Sequence, residues 1–292
     1  MRPLDFWIMM LCCLAWGGNF VIGAWVLSSV AVPPFLLASV RAAMVLALTG
    51  IFLFKARPER FGLLLCVCAT AGFIHLGFLY KGLQTAPAGG SSIVAQMLIP
   101  IATVLSVIFL KEKIGLIRAT AIAAAFLGVC FMVYKPGALS FDWGLIYILL
   151  AYVSLAISSV MMKRVGKIDW RIYVAWTALI VFVGASVTSF FFEQDQISVI
   201  KNSYIPLLIA AGYAAIFISI FAHGQYFRLL QKYDVSVVVP LTPMMSIFGI
   251  ILGILFLDEI LYLRYIIGAA IILPCVYIIA RRQTSGGVHN GE

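Results

Sequence analysis

The sequence predicts an all-α polytopic membrane protein of ten transmembrane helices, arranged as two inverted five-helix repeats. Three observations lead there. Of 292 residues, 64% are hydrophobic and 11% charged, with a mean hydropathy of +1.11; a globule of that composition would lack a polar surface. Long runs with few charges recur ten times, at roughly 6–27, 34–54, 61–83, 88–110, 116–134, 143–162, 172–192, 205–227, 235–257 and 263–280. Each suits the ~20-residue helix that crosses ~30 Å of hydrocarbon. Finally, sliding the chain so that Glu112 falls on Glu259 lays Leu83-Gln84 on Leu230-Gln231 and Phe109-Leu110 on Phe256-Leu257. The same shift puts Lys81 on Arg228, Met97 on Met244, and Ala102 and Ser106 on Gly249 and Gly253. One ungapped register implies an internal duplication: residues 1–136 form the first repeat, residues 137–282 the second, and 283–292 a polar, Gly-rich tail expected to be disordered.

Run 1 is longer than the apolar core of a cleaved signal peptide and is read as a span. It carries Trp16-Gly17-Gly18-Asn19. Adjacent glycines weaken a helix and admit a close neighbour, so Gly17 and Gly18 are candidates for a helix break or gate. The Asn19 amide is costly to leave unsatisfied in hydrocarbon; it either bonds a neighbouring carbonyl or, with Trp16, lines a cavity. Leu155-Ala156-Ile157-Ser158 fills the comparable place in run 6, so the Trp is not duplicated. Run 2 begins at Pro33-Pro34 and holds Arg41, with no Asp or Glu well inside any run. An intramembrane charge marks a substrate site or pathway; the alternative is a snorkelling side chain. Recognition of an anionic substrate group, most simply a carboxylate, is the reading of Arg41 developed below.

Runs 3 and 8 carry His75 with Tyr80 and His223 with Tyr226, the histidines one residue apart in the repeat register. They are candidate substrate contacts, and histidine makes the proton a candidate coupling ion; hydrogen-bonded packing is the bland reading. Run 4 starts after Pro87, where a break would expose backbone to substrate, and brings Ser92 and Gln96 inward. Run 6 offers Tyr152 and Ser158, with Ser154 and Ser159 beside them, and run 7 offers Trp176 and Thr177. In run 9, Pro240 and Pro243 each remove a backbone donor, Gly249 and Gly253 form a GxxxG packing face, and Asp258-Glu259 ends the run. All six cysteines lie within runs and no paired CxxC occurs, so they are read as apolar packing residues.

Basic residues set the orientation. With a cytoplasmic N-terminus, segments 2, 55–60, 111–118, 163–171, 228–232 and 281–282 hold fifteen Lys and Arg inside, against Lys81, Lys135, Lys201 and Arg264 outside. Both termini are therefore expected in the cytoplasm. Five helices per half then force the second half in upside down, a recurring build of secondary transporters. The net charge of +9 lies in short loops, which argues against a nucleic-acid partner. HExxH, GxSxG and GxxxxGK[ST] are missing from the sequence, so an enzyme is the weaker class and no cofactor is expected.

The order of Trp16-Gly17-x-Asn19-Phe20, Pro34 with Arg41, Pro87-Ala88, Glu112, Pro240, Pro243 and Asp258-Glu259 resembles the EamA family of the drug/metabolite transporter superfamily over nearly the whole chain. The PAG turn and the VVVPLTP stretch look most like amino-acid-metabolite exporters of the O-acetylserine/cysteine type. Leu155-Ala156 departs from the Trp-Ala common in that family's sixth helix. The resemblance implies a central cavity, export of small polar metabolites and a multi-pass protein of the bacterial inner membrane. A nucleoside-like metabolite or a drug is the alternative substrate class. The partners expected are the substrate and the lipid bilayer, with no expectation for oligomeric state.

Overall fold

The computed structural model describes residues 1–55, 58–111, 114–135, 140–166, 168–233 and 235–281. Glu112, Pro136, the tail 283–292, and Arg57, Lys113, Lys167 and Arg282 of the charge count lie outside the described residues. Among the described residues, ten helical spans are long and apolar enough to cross a membrane: span 1 Pro3–Ser29, span 2 Pro34–Phe54, span 3 Phe61–Leu83, span 4 Ala88–Leu110, span 5 Leu116–Val133, span 6 Trp143–Val165, span 7 Trp170–Phe192, span 8 Tyr204–Leu230, span 9 Val239–Leu257 and span 10 Leu263–Ala280. The chain is a multi-pass membrane protein. Outside the spans lie the short helices Gln196–Asn202 and Val235–Val238 and a two-residue antiparallel ladder pairing Tyr134 with Phe141 and Lys135 with Ser140.

Local chemistry explains the interruptions. Spans 2 and 4 start where proline fixes the backbone: Pro34 opens the helix Pro34–Thr49, and Pro87 is extended just before Ala88. Span 4 breaks at Gln96-Met97 between the helices Ala88–Ala95 and Leu98–Leu110. Span 9 breaks at Thr242-Pro243, after the 3₁₀ turn Val239–Leu241 and before Met244–Leu257. Spans 3 and 8 each widen into a π-helical segment that ends immediately before a histidine, Ala69–Ile74 before His75 and Ala214–Ala222 before His223. Such bulges occur frequently at functional sites. Spans 4 and 9 also end alike. Lys111 (φ 55) and Asp258 (φ 51) take the left-handed conformation, and their N–H groups return to Ser106 O and Gly253 O. These pairs match in the register that carries Glu112 onto Glu259, and each non-glycine cap costs roughly 1–2 kcal/mol.

Span 2 packs on span 7, span 5 on span 10, span 1 on spans 8 and 9, span 6 on spans 3 and 4, and span 4 on span 9. Exchanging span n with span n+5 leaves this pairing unchanged. At the contact of spans 1 and 9, a Cβ on Gly17 would lie 2.8 Å from both Gly249 N and Met245 O. A Cβ on Gly18 would lie 2.6 Å from Tyr213 Oη, which donates to Ala15 O. The helix Pro3–Ala24 runs unbroken through both residues, so Gly17 and Gly18 admit neighbours without interrupting span 1.

Ion pairs and caps join groups at the same end of the bundle. At the end that carries the N-terminus, buried Asp5 accepts from Arg228 Nη2 (3.3 Å), Lys232 Nζ (2.7 Å) and Tyr233 Oη (2.7 Å). At the opposite end, Glu193 accepts from Phe35 N (2.7 Å) and Leu36 N (3.0 Å), and Glu259 from Ala88 N and Gly89 N. Each carboxylate thus satisfies two free donors at the positive end of a helix from the other half of the chain. Arg264 and Asp142 pair at that same end (3.2 Å).

Candidate functional site

A cavity of about 690 Å³ lies among spans 1–4 and 6–9, a size that suits a small-molecule site. Spans 5 and 10 supply no lining residue. Towards the end carrying Asp5 and the 163–171 segment, the lining runs out to Met162, Trp170, Leu230 and Val239. Towards the other end it stops at Phe20, Leu79, Ala95 and Tyr152. Beyond them Leu27, Val32, Leu37, Leu83, Ile148 and Leu207 are buried in one apolar cluster, closed over by the Glu193 and Glu259 caps.

Three polar groupings stand on an otherwise apolar wall. Arg41 is 8% exposed and is the one charged side chain in the lining among the described residues. Its Nη1 donates to Tyr80 Oη (2.9 Å) and its Nη2 to Ser219 Oγ (3.1 Å). Ser219 belongs to the π-segment of span 8 and donates to Ala214 O, five residues back (3.1 Å). The widened turn thus brings the Ser219 hydroxyl to the guanidinium.

The second grouping is where the two broken spans meet. Gln96 Nε2 donates to Ser246 Oγ (3.1 Å) and Thr242 O (3.3 Å), while Ser246 Oγ donates to Ser92 O (2.7 Å) and Ser92 Oγ to Gly89 O (2.7 Å). The carbonyl that Pro243 deprives of its usual donor, Val239 O, accepts from Thr242 N (3.0 Å) and Thr242 Oγ1 (2.8 Å) rather than standing bare in hydrocarbon.

The third grouping is aromatic. Trp16 packs on His223 (5.9 Å between centroids) and edge-on to Tyr226 (5.3 Å); His75 stands edge-on to Tyr152 (5.2 Å). His75 Nδ1 lies 2.9 Å from Ala151 O. A carbonyl only accepts, so Nδ1–H donates and Nε2 of the neutral ring is left as an acceptor.

Of the sequence-derived site residues, the cavity brings together Trp16, Asn19, Arg41, His75, Gln96, Tyr152, Ser158, His223 and Tyr226. Tyr80 and Ser92 stand behind the wall, bonded to Arg41 and to the span 9 backbone region. Trp176 packs against Phe61 instead, whereas Thr177 is in the lining. Pro87 caps span 4, and Pro240 and Pro243 flank the break in span 9. Leu155 and Ser158 line one wall with the same spacing as Trp16 and Asn19. Among the described residues the Asn19 amide has no hydrogen-bond partner. Trp170, Tyr173, Ser219 and Thr242 also line the cavity and were not singled out from sequence; only Thr242, between two prolines, carried a readable signal.

A family model described as "EamA-like transporter family" matches residues 4–134 and 142–281. A "Probable amino-acid metabolite efflux pump" of Escherichia coli (strain K12) is 27% identical over 288 residues, 95% of each chain. The protein of the same description from Salmonella typhimurium is 28% identical over 292 residues, again 95% of each chain. An "Uncharacterized transporter" of Archaeoglobus fulgidus is 24% identical, covering 85% of this chain and 87% of its own. A solved structure titled "Crystal structure of protein" superposes with a TM-score of 0.62 at 16% identity, over 97% of this chain and 100% of the other, which shows a shared fold.

Proposed function

The chain belongs to the EamA-like transporter family, and from that premise we propose that it is a secondary active exporter of small polar metabolites, amino acids or their derivatives, working by alternating access. The observation that carries the reading is a cavity at the meeting point of two broken spans that reaches one end of the bundle and is closed off from the other. Broken helices at the junction of two repeats are where such transporters hold substrate. The exchange-invariant pairing of the spans and the matched caps at Lys111 and Asp258 support an inverted duplication. Two arrangements related by swapping the halves would then open the cavity to one face and the other in turn. The relatives described as amino-acid metabolite efflux pumps support the substrate class and the direction.

The basic residues support both termini inside, and the bacterial relatives support the bacterial inner membrane. The open end, which carries the 163–171 segment, is then cytoplasmic. We carry the proton forward as the coupling ion because both His75 and His223 line the cavity. Sealed liposomes loaded with a metabolite mixture test the function. Protein-dependent loss of particular metabolites to the outside is expected, whereas chemical conversion without movement would make the protein an enzyme and end the proposal. An imposed pH gradient should drive the flux. Retention of that dependence in both His75→Gln and His223→Gln removes the histidines from coupling.

A further inference from the structure

We infer that Arg41 anchors the carboxylate of the substrate, so that the transported solutes are small monocarboxylates carrying no net positive charge. The inference rests on the chain being a transporter. A guanidinium presents five N–H donors; Tyr80 and Ser219 take one each, and five minus two leaves three without an acceptor among the described residues. Both partners are neutral hydroxyls and do nothing to balance the charge. No Asp or Glu lines the cavity among the described residues, and Arg41 is in none of their ion pairs. Tyr80 from span 3 and Ser219 from span 8 hold the fork from two sides, so it is set in place before a ligand arrives. An always-charged, planar donor fixed in an apolar cavity is complete only with an anion.

The rest of the wall selects the kind of anion. A carboxylate is planar, singly charged and accepts two parallel N–H bonds. The lining holds no Lys and no second Arg among the described residues, so a phosphate dianion would keep one charge uncompensated. A cationic solute would meet the guanidinium with no acidic group to offset it. The ammonium of a zwitterion would meet instead the aromatic lining residues Trp16 and Tyr226.

The test uses liposomes containing the full chain, loaded with amino acids that carry a single carboxylate and no charged side chain and with the O-acetyl esters of serine and threonine, each beside its carboxamide. The readout is the ratio of carboxylate to carboxamide efflux within one preparation, which does not depend on how much protein is folded. Wild type should favour the carboxylates by roughly 10- to 100-fold, the factor that one charge-assisted hydrogen bond corresponds to. Arg41→Lys should keep part of the preference and Arg41→Gln none. Tyr80→Phe, which removes a group that positions the fork, should raise the half-saturating concentration at unchanged maximal flux. Carboxamide efflux equal to carboxylate efflux in wild type overturns the anchor, as does an undiminished ratio in Arg41→Gln. Absence of any efflux from wild-type liposomes instead overturns transport of this class itself.

Discussion

Neutralising Glu259 should shift the protein towards the arrangement open at the opposite face. The carboxylate accepts from Ala88 N and Gly89 N at the start of span 4, a bond between the two halves at the closed end. Glu259→Gln keeps the shape, retains one acceptor oxygen and loses the charge at the helix N-terminus. Loss of a cap costs roughly 0.5–2 kcal/mol, and the charge–dipole attraction is worth about 0.3–1 kcal/mol. A loss near 1–2 kcal/mol changes the ratio of the two arrangements by about 5- to 30-fold. Single cysteines introduced into a cysteine-free background report it: one at Leu27, 2% exposed in the sealed cluster, and one at Ser158 in the cavity wall. With a membrane-impermeant maleimide, labelling of Leu27→Cys from the closed face should rise by that factor while labelling of Ser158→Cys from the mouth falls. A general loosening would raise both rates. Unchanged rates at both sites in a folded Glu259→Gln protein would refute the latch.

Three further outcomes follow from the packing and the charges. Gly17→Ala should lower stability by about 1–3 kcal/mol, read from thermal unfolding in detergent, because the new Cβ meets the backbone of Gly249 and Met245 and no side chain can swing aside; an unchanged midpoint contradicts the close contact. Gln96→Leu should cost about 0.5–1.5 kcal/mol by removing the bonds to Ser246 Oγ and to Thr242 O, the latter keeping Met245 N as a donor, and should lower flux per folded molecule because the break in span 9 loses its brace. Cysteines placed in segments 55–60 and 163–171 should be labelled only from the cytoplasm and those in 193–203 only from outside; external labelling of 163–171 reverses the orientation.

Span existence was legible because membrane helices answer to one term, the burial of about 20 apolar residues in hydrocarbon. Spans 2, 3 and 4 begin and end where the apolar runs 34–54, 61–83 and 88–110 do. The broken turn at Thr242-Pro243 was announced by its prolines. Its counterpart at Gln96-Met97 carried a mark that was not singled out, Pro100, whose missing N–H leaves Gln96 O to Ile99 N (3.3 Å), while the Gln96 side chain reaches across to Thr242 O and Ser246 Oγ. The site was legible in residue type more than in direction. His75 and Tyr80 are five positions apart, about 140° around a 3.6-residue helix, so one faces the cavity while the other stands behind Arg41. Trp170 gave no signal, since tryptophan at the end of a run reads as an interfacial anchor. The carboxylate caps were likewise hidden: nothing near Glu193 or Glu259 in sequence points to the helix each one ends.

The unequal walls, Trp16 with Asn19 against Leu155 with Ser158, separate what the duplication must preserve from what it is free to change. Under the proposed alternating access the moving frame needs its two halves alike, since each arrangement would be built from the other by exchange, and drift in one half's breaks or caps would unbalance the pair. The cargo touches only a few side chains, and for those likeness between halves confers nothing. Selectivity in such a chain can therefore evolve through single substitutions on one wall, at constant mechanism, in the way a lock is rekeyed without rebuilding the door.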